Sequence, residues 1–225
     1  MKASATGLVL TMVLLTGAGQ ARAAGGLSGS YYSFAAAPEN DATASADIMS
    51  ASSPTATFLA TTVCFPSCDA VAHDDTTLDS FLSPNATDIS SNAVADLEEH
   101  ALLLTGFLTV TASGPHTFEL ESDDGSELWI GNDVLANDGD HGIKSVSSAF
   151  NLAAGVYPIK VLQFEDFGDT GLTVREDNDP LTASQLSTSA TPEPAAWALM
   201  LGGVGVIGTW LRMAPKRLGA TKSAA

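Results

Sequence analysis

The chain has 225 residues, 45% of them apolar, and a formal net charge of −17, a length that suits one domain with appendages. The charge is uneven: residues 24–190 hold 25 of the 26 acidic residues but only Lys144, Lys160 and Arg175 of the basic ones, a local net charge of −22. A surface this acidic repels phosphate backbones, which excludes nucleic acid as a partner and leaves either a plain solvated face or carboxylates that hold divalent cations.

The first predicted element is a signal peptide over residues 1–23. Lys2 supplies the positive start, Gly7 to Leu15 (GLVLTMVLL) the apolar stretch, and Ala21 and Ala23 the small residues that suit cleavage after Ala23. The apolar run is too short to serve as a spanning anchor. Export and processing by signal peptidase are therefore expected.

Residues 24–190 are rich in Ser, Thr, Ala, Gly and Asp and contain no long 3.6-residue periodicity. Short β-rich runs separated by Gly and Asp turns predict strands near Gly29–Phe34, Thr57–Val63, Gly106–Thr111, His116–Glu121, Glu127–Ile130 and Tyr157–Phe164. Between the first two, residues 35–54 read as a long surface loop. Cys64 and Cys68 are the only cysteines; in an exported chain the expectation is a disulfide that shapes a local turn. The competing reading adds His73, Asp74 and Asp75 as ligands to a metal.

The densest pattern begins at Gly106. Ser113-Gly114-Pro115 marks a hairpin turn, and Thr117-Phe118-Glu119-Leu120 alternates as a half-buried strand does. Ser122 to Ile130 reads SDDGSELWI, Leu152 to Val161 reads LAAGVYPIKV, and Phe164 to Val174 reads FEDFGDTGLTV. These segments, with Gly26-Leu27-Ser28-Gly29-Ser30-Tyr31-Tyr32 before them, resemble the PA-fourteen domain, a β-sandwich of the protective-antigen type. That family also occurs in glycosidases and in fungal flocculin and adhesin lectins. The resemblance covers most of residues 26–176, more loosely over 35–105.

Asp123 and Asp124, followed by Gly125, are candidate ligands for a hard cation such as Ca²⁺. Two acidic loops could complete the shell, Asn137-Asp138-Gly139-Asp140 and Glu165-Asp166-Phe167-Gly168-Asp169. In the lectins of the family, two adjacent aspartates joined by a cis peptide hold Ca²⁺, which then coordinates vicinal sugar hydroxyls. The resemblance assigns that pair to Asp123 and Asp124. It offers Asp166 or Asp169 where the lectins use an asparagine, so the candidate carbohydrate site is Asp123, Asp124, Asp166 and Asp169 and the candidate metal set Asp123, Asp124 and Asp166. An acidic turn with no ligand remains the alternative.

Catalysis is not expected. On a regular strand Asp123 and Asp124 point to opposite faces, unlike the paired carboxyls of a glycosidase. The histidines His73, His100, His116 and His141 show no metal-ligand spacing, and His116, in place of the hairpin's usual aromatic, reads as packing. Trp129 reads as core or sheet surface.

The last predicted element is a membrane span. Ala195 to Leu211 is uncharged and apolar, with Trp197 and Trp210 at its two ends. Arg212, Lys216 and Arg217 follow, which places the tail, 218–225, in the cytoplasm. Pro192-Glu193-Pro194 stands immediately before the span. The tripeptide, apolar helix and basic cluster in that order resemble the PEP-CTERM sorting signal. That resemblance implies recognition by an exosortase in a Gram-negative host that makes exopolysaccharide.

The sequence thus predicts an all-β chain: an antiparallel sandwich over 24–190, flanked by a signal peptide and by a sorting signal with a transmembrane helix over 191–217. The expected role is a non-catalytic, calcium-assisted binding module for extracellular polysaccharide, exposed at the cell surface or in the matrix after transient anchoring in the inner membrane. A structural matrix spacer that binds no sugar is the alternative. A third reading is an accessory domain for a separate enzyme.

Overall fold

A computed structural model describes residues 25–190 apart from 52, 74, 91–93, 95 and 96. The expected signal peptide, the Pro192-Glu193-Pro194 motif, the apolar span and the tail lie outside the described residues, as does Asp74. Among the described residues no helix is long and apolar enough to cross a membrane.

In chain order the elements are β1 (Leu27–Ser33), α1 (Asp41–Ser50), β2 (Ala56–Ala60), β3 (Cys64–Phe65), β4 (Ala72–His73), α2 (Leu78–Leu82), β5 (Ala86–Thr87) and β6 (His100–Val110). There follow β7 (Gly114–Asp123), β8 (Ser126–Ile130), β9 (Asp133–Asn137), β10 (Lys144–Leu152), β11 (Gly155–Glu165), β12 (Asp169–Glu176), β13 (Asp179–Pro180) and β14 (Leu186–Ser187). One sheet runs β5-β2-β1-β6-β11-β8-β9, with β14 also on β6. The other runs β10-β7-β12-β13, with β3 and β4 also on β12. All described pairings are antiparallel.

The alternation read in Thr117–Leu120 holds: Phe118 and Leu120 are fully buried and Thr117 is exposed. From β6, Leu102, Leu104 and Leu108 enter the same core, and Leu128, Ile130, Ile159 and Val161 meet them from β8 and β11. The loop expected over 35–54 contains α1 instead. Asn40 caps it, its side chain accepting from the Thr43 amide at 2.9 Å. Only Asp41 and Ala44 of α1 are buried, so the helix carries no apolar stripe that a periodicity search could detect.

Cys64 and Cys68 form a disulfide with Cα atoms 4.6 Å apart. It closes a turn beside Phe65, whose ring lies 6.2 Å from Phe58 and 5.8 Å from Phe81. Arg175, on β12, reaches out to Glu119 at 2.9 Å and to Asp69 in the turn after that disulfide. One of the few cations in the acidic domain thereby ties this turn to the second sheet.

All of these elements fall within Ala23–Thr191, a compact unit with its own core. Truncating Phe118, which packs 5.3 Å from Phe150, should cost that unit about 3–5 kcal/mol. Urea unfolding of Phe118→Ala against the parent is the check, and a midpoint unchanged at equal slope would contradict the assignment of this ring to the core.

Candidate cation and ligand site

Three connections cross from one sheet to the other at the same end of the sandwich. The chain leaves β7 at Asp123 and enters β8 at Ser126; it leaves β9 at Asn137 for β10 at Lys144; it leaves β11 at Glu165 for β12 at Asp169. The pairs Gly171↔Asp123, Lys144↔Ser122, Ser126↔Asn137 and Gln163↔Ser126 hold these ends side by side.

Below the crossings the inward rows turn from apolar to polar. On β11 the inward series Ile159, Val161, Gln163, Glu165 follows the strand period of two. Ser126 Oγ donates to Ser122 Oγ at 2.7 Å, and Asn137 Nδ2 donates to the same Ser122 oxygen at 3.0 Å. Gln163 Nε2 donates to the Asp123 carbonyl at 3.0 Å. This buried polar layer supports the loops above it, as buried amides and hydroxyls must find partners.

The peptide between Asp123 and Asp124 is cis, and their side chains meet in one cluster instead of pointing to opposite faces. Their carboxylates and that of Glu165 each offer an oxygen, and all three oxygens lie within 4.8 Å of one another. Asp124 clamps the other two crossings: its Oδ1 accepts from the His141 amide at 2.8 Å and its Oδ2 from the Asp166 amide at 3.0 Å. Its own amide donates to Glu165 Oε2 at 2.9 Å. Behind it, a Cβ on Gly125 would stand 2.3 Å from the Phe164 ring and 3.0 Å from the Gly139 carbonyl. Only glycine fits there, which gives the Asp-Asp-Gly order a packing reason.

The electrostatics are those of crowded, desolvated acids. Burial pushes the Glu165 carboxyl up to about 9, with the charges of Asp124 and Asp123 adding to the effect. Burial also raises Asp123 to about 6, again helped by Asp124 and Asp169. Asp124 is raised by burial first, against the two amides that hold its charged form. Glu165 Oε1 is buried with no hydrogen-bond partner. An orphaned carboxylate oxygen beside two others fits a hard cation that takes oxygen ligands.

The sequence-expected residues divide. Asp123 and Asp124 come together, and the third carboxylate of the cluster is Glu165 rather than Asp166. Asp166 contributes its amide to Asp124, and its carbonyl accepts from Glu99 at 2.9 Å. Asp169 opens β12 opposite His73 and adds its charge near Asp123. From the other acidic loop, Asp140 lies near enough to raise Asp124 further. Trp129 is half-buried on the sheet surface with Lys160 Nζ 3.2 Å from its ring centre.

The family model of the PA14 domain matches residues 55–180. Among solved structures, the PA14 domain of the MpAFP antifreeze protein aligns with a TM-score of 0.66 at 23% identity, over 76% of this chain and 94% of that one. The PA14 sugar-binding domain from an RTX adhesin aligns with a TM-score of 0.64 at 22% identity, over 74% of this chain and all of that one. The A domain of epithelial adhesin 6 from Candida glabrata, solved with Galb1-3GlcNAc, gives 0.52 at 18% identity, over 76% and 90%. At these identities the likeness establishes the fold. No curated protein sequence matches this chain.

Stability without metal should carry the signature of Glu165. Its folded carboxyl stays protonated up to about pH 9 while the unfolded one ionises near the usual 4.5. The stabilisation is full below the lower value and declines as pH rises toward the upper. From pH 7.5 to 8.5, above the shifted values of His100 (about 4), Asp123 (about 6) and Asp41 (about 7), stability in EDTA should fall by up to about 1.4 kcal/mol per pH unit. Urea midpoints across that window test this, and Glu165→Gln should flatten the slope.

Proposed function

This chain belongs to the PA14 domain family, and on that footing we propose that it is a calcium-assisted carbohydrate-binding module, exported and presented at the cell surface or in the extracellular matrix. The observation that carries the reading is the cluster of Asp123, Asp124 and Glu165, three buried carboxylates with one orphaned oxygen. The RTX adhesin domain, described as sugar-binding, and the adhesin 6 domain, solved with a disaccharide, lend support from the same fold.

In this reading Asp123, Asp124 and Glu165 hold Ca²⁺, with Asp140, Asp166 and Asp169 in the loops around it. The bound ion supplies positive charge and open coordination positions for sugar hydroxyls. Asp124 holds the 137–144 and 165–169 crossings in register through protein hydrogen bonds alone, so the ligand meets walls already formed. No catalytic role is assigned: the cluster is a single compact group, not two carboxyls facing each other across a cleft. The ligand class is the polysaccharide of the extracellular matrix.

The delivery route follows from the two ends of the chain. Signal peptidase removes residues 1–23; an exosortase recognises Pro192, Glu193 and Pro194 while the 191–217 segment holds the protein in the inner membrane of a Gram-negative cell. Glu193→Ala should leave the chain in the membrane fraction, whereas the parent is released or transferred to the surface. Equal partitioning of both would sink the sorting assignment.

Binding is tested on a glycan array with residues 23–191, in calcium and in EDTA. Retention should require calcium and fall at least about 100-fold in Asp124→Ala and Glu165→Gln. Silence from folded protein in both conditions would favour the matrix-spacer role. Calcium titration near pH 7 should release protons as the raised carboxyls ionise, measured by calorimetry in buffers of different ionisation enthalpy.

A further inference from the structure

The opposite end of the sandwich carries a second cluster. His116 stands near the start of β7, and β12 ends at Glu176, followed by Asp177. His116 is seven residues from Asp123, about 23 Å along an extended strand. The Nδ1 of His116 lies 2.7 Å from Glu176 Oε1 and 3.6 Å from Asp177 Oδ2. The ligand atoms of the three residues all fall within 4.8 Å of one another. His116 and Glu176 side chains are only 12% and 10% exposed.

Each of the three is pinned by its other polar atom. His116 Nε2 lies 3.0 Å from the carbonyl of Ala112, which can only accept, so Nε2 carries a proton and Nδ1 faces the two carboxylates. Glu176 Oε2 accepts from Gln185 Nε2 at 2.8 Å, which leaves Oε1 toward the histidine. Asp177 Oδ1 accepts from the Thr117 amide at 2.8 Å, which leaves Oδ2. A ring nitrogen fixed by a backbone carbonyl and carboxylates fixed by outer hydrogen bonds are how metal ligands are oriented.

The Nδ1 atom is itself buried without a hydrogen-bond partner in line. Nδ1 at this range from carboxylate oxygens carries either a proton of its own, as an imidazolium ion pair, or a lone pair aimed at a cation held between them. Two ligand atoms on one tetrahedral zinc stand about 3.3 Å apart, a value bracketed by the 2.7 and 3.6 Å found here. The cluster opens into a pocket of about 840 Å³ lined also by Thr61, Thr111, Asp179 and Thr182, so a bound ion would keep positions open to water or a pocket ligand.

We propose that His116, Glu176 and Asp177 form a second metal site, selective for a nitrogen-seeking divalent ion of the zinc type over calcium. An imidazole with two carboxylates suits zinc, whereas calcium prefers an all-oxygen shell. The site is independent of the carboxylate cluster at the other end.

Zinc is the probe. Calorimetric titration of residues 23–191 in calcium-saturated buffer should give one site per chain, with the His116 imidazole resonances shifting in step. Asp177→Asn should weaken binding at least about 10-fold. The fold tolerates that change, because Asp177 sits at φ 54° in a two-residue turn with Asn178 at φ 74°, a conformation asparagine also adopts. His116→Gln should abolish the site, and Asp124→Ala should leave it intact. The proposal is overturned if no saturable zinc binding occurs. It is equally overturned if binding ignores both substitutions and follows His73 or His141, or if His116 titrates as a simple imidazolium indifferent to zinc.

Discussion

The carboxylate of Asp124 governs the end of this domain where the three crossings meet. It accepts one amide from each of the two other crossings, while its own amide donates to Glu165, where the second of them begins. Three separate connections between the sheets, its own included, thus meet at one residue. Charge-assisted hydrogen bonds of this kind are about twice as strong as neutral ones. They define the floor of a site whose walls are otherwise loop.

That arrangement has an electrostatic consequence. Holding Asp124 at a buried corner draws Asp123 and Glu165 close to it, and burial pushes all three toward their neutral forms. Two of the three basic residues of the domain are engaged elsewhere: Arg175 with Glu119 and Asp69, Lys160 over Trp129. The fold and the proposed cation site therefore make opposed demands on Glu165. The domain without a metal is steadier with it protonated, and the proposed cation site needs it ionised.

Much of this was legible along the chain. The alternating hairpin strand, the Asp-Asp-Gly corner and the cysteine pair are local patterns with local causes. The helix α1 was not, because it buries only Asp41 and Ala44 and its Ala/Ser/Asp composition imitates a loop. The match to the lectin pattern favours Asp166, whereas counting by two from Ile159 through Val161 and Gln163 points Glu165 inward. His116 read as a packing residue because its partners, Glu176 and Asp177, stand about 60 positions later and meet it only across the β7–β12 ladder.

The sequence by itself determined the class of the described domain, its antiparallel strands, its acidity and the identity of the corner residues. These depend on neighbours in the chain and on alternation with period two. Which carboxylates share a site was decided by the tertiary structure. Strand register sets which ends lie side by side, and register is a relation between segments far apart in sequence. The same holds for the raised carboxyl of Glu165, since desolvation is a property of everything packed around a group.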